Sequence, residues 1–174
     1  PPPYRFYMMK ETIEGLGIKD CFVSDIEFGI EGVSYTSVVL KALTSDGYIR
    51  DFLTANGVKK KKAEEHHDFF WIMGSDTLGT FETWYNPGEI LNKASLLAAV
   101  RPGDNTDVDK AADSIRKNLG GRVEIFRLNG VDCSSSGITT SGDFSMVPEP
   151  AREFIAKHAL YTENTMLSGI SDDA

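Results

Sequence analysis

The chain reads as an α/β protein built on a parallel sheet with helices on both faces. Two apolar runs and one helical stripe carry that expectation. Phe69-Phe70-Trp71-Ile72-Met73 continues without alternation and stops at Gly74, and Ala94 to Val100 does the same and stops at Arg101-Pro102-Gly103. A strand covered on both faces is apolar at every position rather than at every second one. Val108, Ala111, Ala112, Ile115 and Leu119 then recur at helical spacing. Open α/β sheets bind ligands outside the carboxyl ends of their strands. The polar residues that end the two runs, Gly74, Ser75 and Asp76 on one and Arg101 on the other, are therefore expected to face one crevice.

Composition sets the outer limits. The 174 residues are enough for one domain with a substantial core. We expect residues 1–161 to form it and the polar stretch 162–174 to be a tail. With 41% hydrophobic and 25% charged residues the chain is ordinary for a globular protein. A formal charge of -8 argues against a nucleic-acid backbone as partner, while a small nucleotide needs only one or two cations. Cys21 and Cys133 form neither a disulfide framework nor a metal-ligand pattern, which makes a reducing cytoplasm the default. No apolar run approaches the roughly 18 residues of a membrane span, and the opening PPPYRFYMMK does not read as a signal peptide. The oligomeric state is left open.

Taken in order, Pro1 to Pro3 suggest a stiff extended entry, followed by a helix over 4–16 with Phe6, Met9, Ile13 and Leu16 on one stripe. Residues 21–28 alternate and predict a strand or extended segment, broken by Gly29 and Gly32. Thr36 is expected to cap a helix through Val39, Leu40, Ala42 and Leu43 to Asp46-Gly47. The Ser34-Tyr35-Thr36-Ser37 turn is either a plain helix cap or, through the free amides that follow it, a ligand contact. A short helix is expected over 48–55, ended by Asn56-Gly57. Residues 59–67 read as a charged, solvated connector in which His66 and His67 are surface residues. After the strand at 69–73, Trp84 and Tyr85 form an exposed aromatic pair before Asn86-Pro87-Gly88. Thr106 opens the helix closed by Gly120-Gly121, and 122–128 alternates as another strand. Pro148 begins a last helix carrying Ala151, Phe154, Ile155 and His158 on one stripe.

These motifs have a recognisable order. A strand ending in Gly74-Ser75-Asp76, then Trp84-Tyr85, then Arg101-Pro102-Gly103, with Gly32-x-Ser34-Tyr35-Thr36 upstream and Ser134-Ser135-Ser136 downstream, resembles bacterial nicotinate-nucleotide adenylyltransferase. The likeness runs from about residue 1 to residue 161. It implies a Rossmann-like nucleotidyltransferase fold and adenylyl transfer from ATP, accompanied by Mg2+, to nicotinate mononucleotide. It also implies roles. Trp84 would stack on the nicotinate ring, and Tyr85 with the Thr36-Ser37 helix start would fix its carboxylate. Asp76 would accept from the adenosine ribose and Gly74 would let the backbone come close. Ser134, Ser135 and Ser136, at a helix N-terminus, would donate to the departing phosphates. Arg101 either adds a cation there or braces its loop.

Two departures from the family pattern stand beside this. The serine motif of the family ends in an arginine that meets the triphosphate, whereas Thr139 occupies that position here, with Cys133 and Ser136 replacing an Ile and a Thr. The family's glycine-rich first strand with His-x-Gly-His appears nowhere in this sequence, and no catalytic residue is assigned. An additional strand beside 69–73, from upstream residues or another chain, is therefore expected. The alternatives are a nucleotide-binding module without turnover and a related transferase acting on a pantetheine phosphate.

Overall fold

A computed structural model describes residues 2–129 and 135–161. Contacts divide the chain into two compact units, one formed by Pro1–Asp25 with Cys133–Ala174 and the other by Ile26–Asp132.

The second unit holds the sheet. Strands β1 (Phe70–Gly74), β2 (Ser95–Val100) and β3 (Val123–Arg127) lie side by side in that order. All pairs are parallel, with Trp71 opposite Leu96, Gly74 opposite Ala99, and Leu96 opposite Val123. This is the α/β class expected from the two apolar runs. Alternate residues of a strand point to opposite faces. One face, built from Met73, Leu96, Ala98, Val100 and Val123 with Trp71 and Ile125 beside them, joins Leu78, Phe81, Ile90, Val108, Ala112 and Ile115 in a single core. Burial of this kind contributes about 1.5–3 kcal/mol for each large side chain fully covered. The short helices α5 (Ser75–Leu78) and α6 (Pro87–Leu91) and the long helix α7 (Val108–Leu119) supply the covering side chains.

Strand β1 departs from the doubly buried strand its composition suggests. Phe70 is 44% exposed and Ile72 is 64% exposed, on the face opposite Met73. Its partner in the sheet is β2, and among the described residues no strand pairs with its other edge. Unbroken hydrophobicity here reflects one packed face and one that is apolar but uncovered.

Helix α7 shows why its ends were legible. Asp107 caps it by accepting from the Lys110 amide at 3.2 Å, and Gly120 ends it at φ +74°, a left-handed conformation that glycine adopts without cost. Before the sheet come α2 (Thr36–Leu43), α3 (Tyr48–Ala55) and the single turn α4 (Lys60–Ala63). Three expectations are corrected in this part of the chain. Residues 21–25 hold no regular structure and Ile26–Gly29 is a 3-10 turn rather than a strand, since no strand among the described residues offers it a ladder. The lysine-rich connector winds into α4 because Ala63 is buried and draws one turn of chain around it. Tyr35, with extended φ and ψ, occupies the cap position of α2, and Thr36 is the first helical residue.

In the first unit α1 (Pro2–Gly15) packs on α9 (Glu149–Lys157). Pro2 and Pro3 lie inside the first helical turn and do not form an extended entry. Their fixed φ and missing N–H suit that turn, where amides have no intrahelical acceptor. Tyr4 meets the rings of Phe154 and His158 edge-on, with centroids 6.4 and 5.3 Å away. A side chain at Gly15 would run into Pro150, so that glycine permits the close approach of the two helices. Helix α8 (Ser135–Ser141) belongs to the same unit.

Candidate functional site

The carboxyl ends of β1 and β2 assemble the first group of residues. Strand β1 ends at Gly74 and turns directly into α5, which places Asp76 in the first helical turn. The Asp76 carboxylate accepts from the Thr77 amide at 2.8 Å and is well exposed. From the neighbouring strand, Arg101 Nη2 reaches Asp76 Oδ2 at 3.8 Å. The parallel register, Gly74 beside Ala99, brings the two strand ends side by side. A Cβ at Gly74 would meet the Asp76 carboxylate and displace it from its present place.

Beneath them lies a contact that sequence reading missed. Ser75 is almost fully buried, and its hydroxyl donates to Asp104 Oδ2, while Asp104 Oδ1 accepts from the Thr106 amide at 2.8 Å. Hydrogen bonds from Ser75 and Thr106, aided by the Arg101 charge, hold the Asp104 carboxyl at about 2, below its ordinary range. The loop that carries Arg101 is thereby tied to the start of α5. Asp-x-Thr is a turn signature in which the carboxylate accepts from a following amide, and that signal marks Asp104.

A second group gathers at the start of α2. Tyr85 stacks on Tyr35 with ring centroids 4.5 Å apart and planes at 26°. Tyr35 is the residue on which α2 begins, so Thr36 and Ser37 in its first turn stand next to the stacked pair. Ser37 is 7% exposed, and its hydroxyl has no hydrogen-bond partner. Burying a hydroxyl unpaired is costly, and such an atom calls for an explanation. Trp84 is not the exposed partner of Tyr85 that the dipeptide suggests. It is half-buried against the core, 5.4 Å from the Phe81 ring, because the 3-10 turn Phe81–Thr83 folds it back onto that ring.

A cleft of about 620 Å³ opens where β2 and β3 end, lined by Arg101, Gly103 and Asp104 on one side and Arg127 and Asn129 on the other. Sequence reading did not single out Arg127. Ser135 and Ser136 open helix α8 as expected, in the other unit, while Ser134 lies outside the described residues. His66 is exposed, as expected, and 3.5 Å from Asp68, whereas His67 is half-buried with its ring 3.2 Å from the Ala63 carbonyl. Among the described residues no three His, Cys, Asp or Glu side chains gather as a cation site, and no helix is long and apolar enough to cross a membrane.

No protein-family model matches the chain. It is similar over most of its length to bacterial proteins named probable nicotinate-nucleotide adenylyltransferase. That of Lachnoclostridium phytofermentans is 28% identical over 169 residues, covering 91% of this chain and 72% of the relative. Those of Salinibacter ruber and Clostridium beijerinckii are 26% and 27% identical, covering 91% and 92% of this chain and 71% and 74% of theirs. The resemblance seen in the order of motifs is thus one that extends along the chain.

Proposed function

We propose that the chain acts in adenylyl transfer from ATP to nicotinate mononucleotide, giving nicotinate adenine dinucleotide and pyrophosphate in the synthesis of NAD. The observation that carries this reading is the unpaired, buried Ser37 hydroxyl at the start of α2, beside the stacked Tyr35 and Tyr85. A planar ring bearing a carboxylate answers both features. The ring extends the aromatic stack, and the carboxylate accepts from the hydroxyl and from amides at the helix start, where the dipole favours negative charge. The names of the relatives support the same acceptor.

In the reaction a phosphate oxygen of the mononucleotide attacks the α-phosphorus of ATP. One P–O bond forms, the bond to the bridging oxygen of the β-phosphate breaks, and pyrophosphate leaves with the electron pair. No covalent bond to the protein is needed, so the residues contribute alignment and cover for phosphate charge. Asp76 at the end of β1 would accept from the adenosine ribose, with Gly74 allowing the approach. Trp84 would offer its exposed part to the nicotinate ring, Arg101 a cation to the phosphates, and Ser134, Ser135 and Ser136 donors to the leaving group. Mg2+ would arrive as part of the ATP substrate. ATP as donor makes the cytoplasm the place of action.

Calorimetric titration tests the reading. Nicotinate mononucleotide is expected to bind more tightly than the nicotinamide form, which lacks the carboxylate, and Ser37→Ala is expected to remove most of that preference. Equal affinity for the two mononucleotides, or no binding of either, would overturn it. One observation favours a binding module without turnover instead, namely Thr139 on α8 where the resembled family carries an arginine. Nicotinate mononucleotide and ATP that bind without release of pyrophosphate would select that second reading.

A further inference from the structure

The arginines of the sheet-bearing unit fall into two kinds. Arg50, Arg116 and Arg122 each donate to a carboxylate within hydrogen-bond distance, at 2.8 Å for the first two. Arg101 and Arg127 differ. Arg101 faces Asp76 and Arg127 faces Asp109, each at 3.8 Å, too long for a hydrogen bond, and among the described residues neither guanidinium donates one. These two line the same cleft, from opposite sides, at the carboxyl ends of adjacent parallel strands. Loose pairs between exposed groups contribute little, so they exchange readily for a better acceptor. A guanidinium fork is matched by the paired oxygens of a phosphate.

We propose that the cleft between the ends of β2 and β3 is an oligophosphate site in which Arg101 and Arg127 together clamp a diphosphate or the outer phosphates of a nucleoside triphosphate. Its volume of about 620 Å³ admits such a group, and Gly103 and Asn129 line it beside the two arginines. The carboxylates nearby are those of Asp76, Asp104 and Asp109. Asp104 is occupied by Ser75 and Thr106, and the other two are the loose partners that the phosphates would replace. The proposal rests on the adenylyl-transfer reading for the identity of its natural ligand.

The test is calorimetry on the full 174-residue chain with inorganic pyrophosphate, ATP and AMP. Pyrophosphate and ATP are expected to compete, and Arg127→Gln to weaken both roughly ten- to a hundredfold, the usual loss for a charge-assisted hydrogen bond. AMP, which lacks the outer phosphates, should bind the variant and the parent alike. Arg127→Lys keeps the charge without the fork and should lose less. Arg127 is 67% exposed, so the fold does not depend on it. No pyrophosphate binding, binding indifferent to Arg127, or an equal loss in Arg50→Gln would overturn the site. Arg127-dependent pyrophosphate binding in a chain that takes no nicotinate mononucleotide would keep the cleft and sink the function proposed above. Mononucleotide binding with pyrophosphate binding indifferent to Arg127 would do the reverse.

Discussion

At Ser75 a hydroxyl taken out of water is matched by a carboxylate from the next strand's loop, and the pair can be read out by pH. The Asp104 carboxyl is held at about 2 in the folded chain against an ordinary 3.8. A depressed carboxylate contributes stability above its unfolded value, and that contribution disappears as pH falls through the folded one. Ser75→Ala is therefore expected to lower the melting temperature near neutral pH, with the gap to the parent closing between about 4 and about 2. A gap that persists unchanged below 2 would assign the loss to packing alone. The aromatic pair divides differently. Tyr85→Ala should cost mononucleotide affinity by about 1–3 kcal/mol, as for a ring stacked on a base, with little change in melting. Trp84→Ala, which uncovers Phe81, should also cost about 2 kcal/mol of stability, roughly half the loss for a fully buried ring. Thermal melts paired with titrations separate the two. Asp76 and Arg101 were legible in sequence because each ends an apolar run. The Ser75–Asp104 tie and Arg127 were not, since they depend on which strands are neighbours, and the burial of Trp84 depends on a turn that the dipeptide does not reveal.

Helices α3 and α7 and all three strands follow from period and punctuation, whereas the errors cluster where local signals compete. The alternation of 21–28 satisfied the pattern of a strand, but a strand exists only with a ladder partner, and none is adjacent among the described residues. Prolines at 2 and 3 favour an extended chain and a first helical turn alike, and packing of α1 on α9 decides for the helix. At the end of α7 the signals agree. Gly120 has space for a side chain but a φ of +74°, so its role is conformational. Gly120→Ala is expected to cost about 1 kcal/mol and Gly120→Asn less, whereas Gly121→Ala should cost more because its Cβ would strike Leu91. Denaturant unfolding of the three variants checks this order. Equal losses at both glycines would mean that the helix end relaxes.

For the whole molecule the open question lies at β1. Its outer edge, unpaired among the described residues, presents backbone donors and acceptors, and the adjoining face presents Phe70 and Ile72 to solvent. A strand edge combined with exposed apolar side chains is a template for pairing. The expectation of a further strand here meets a three-stranded sheet in which the outer edges of β1 and β3 both lack a partner strand among the described residues, and of the two it is the β1 edge that adjoins the exposed Phe70 and Ile72. That edge should be sticky. In solution these 174 residues are expected to self-associate as concentration rises, by light scattering or sedimentation. Ile72→Lys, which places a charge on the uncovered face, should reduce association without lowering the melting temperature. Leu96→Ala makes the contrast. Leu96 is fully buried at the centre of the sheet, and its loss should cost about 2–5 kcal/mol whatever the state of association. If Ile72→Lys instead unfolds the chain as Leu96→Ala does, Ile72 is covered in solution and the β1 edge is already paired. If parent and variant stay equally monomeric at every concentration, the edge is no template, and the case for a strand beside β1 falls with it.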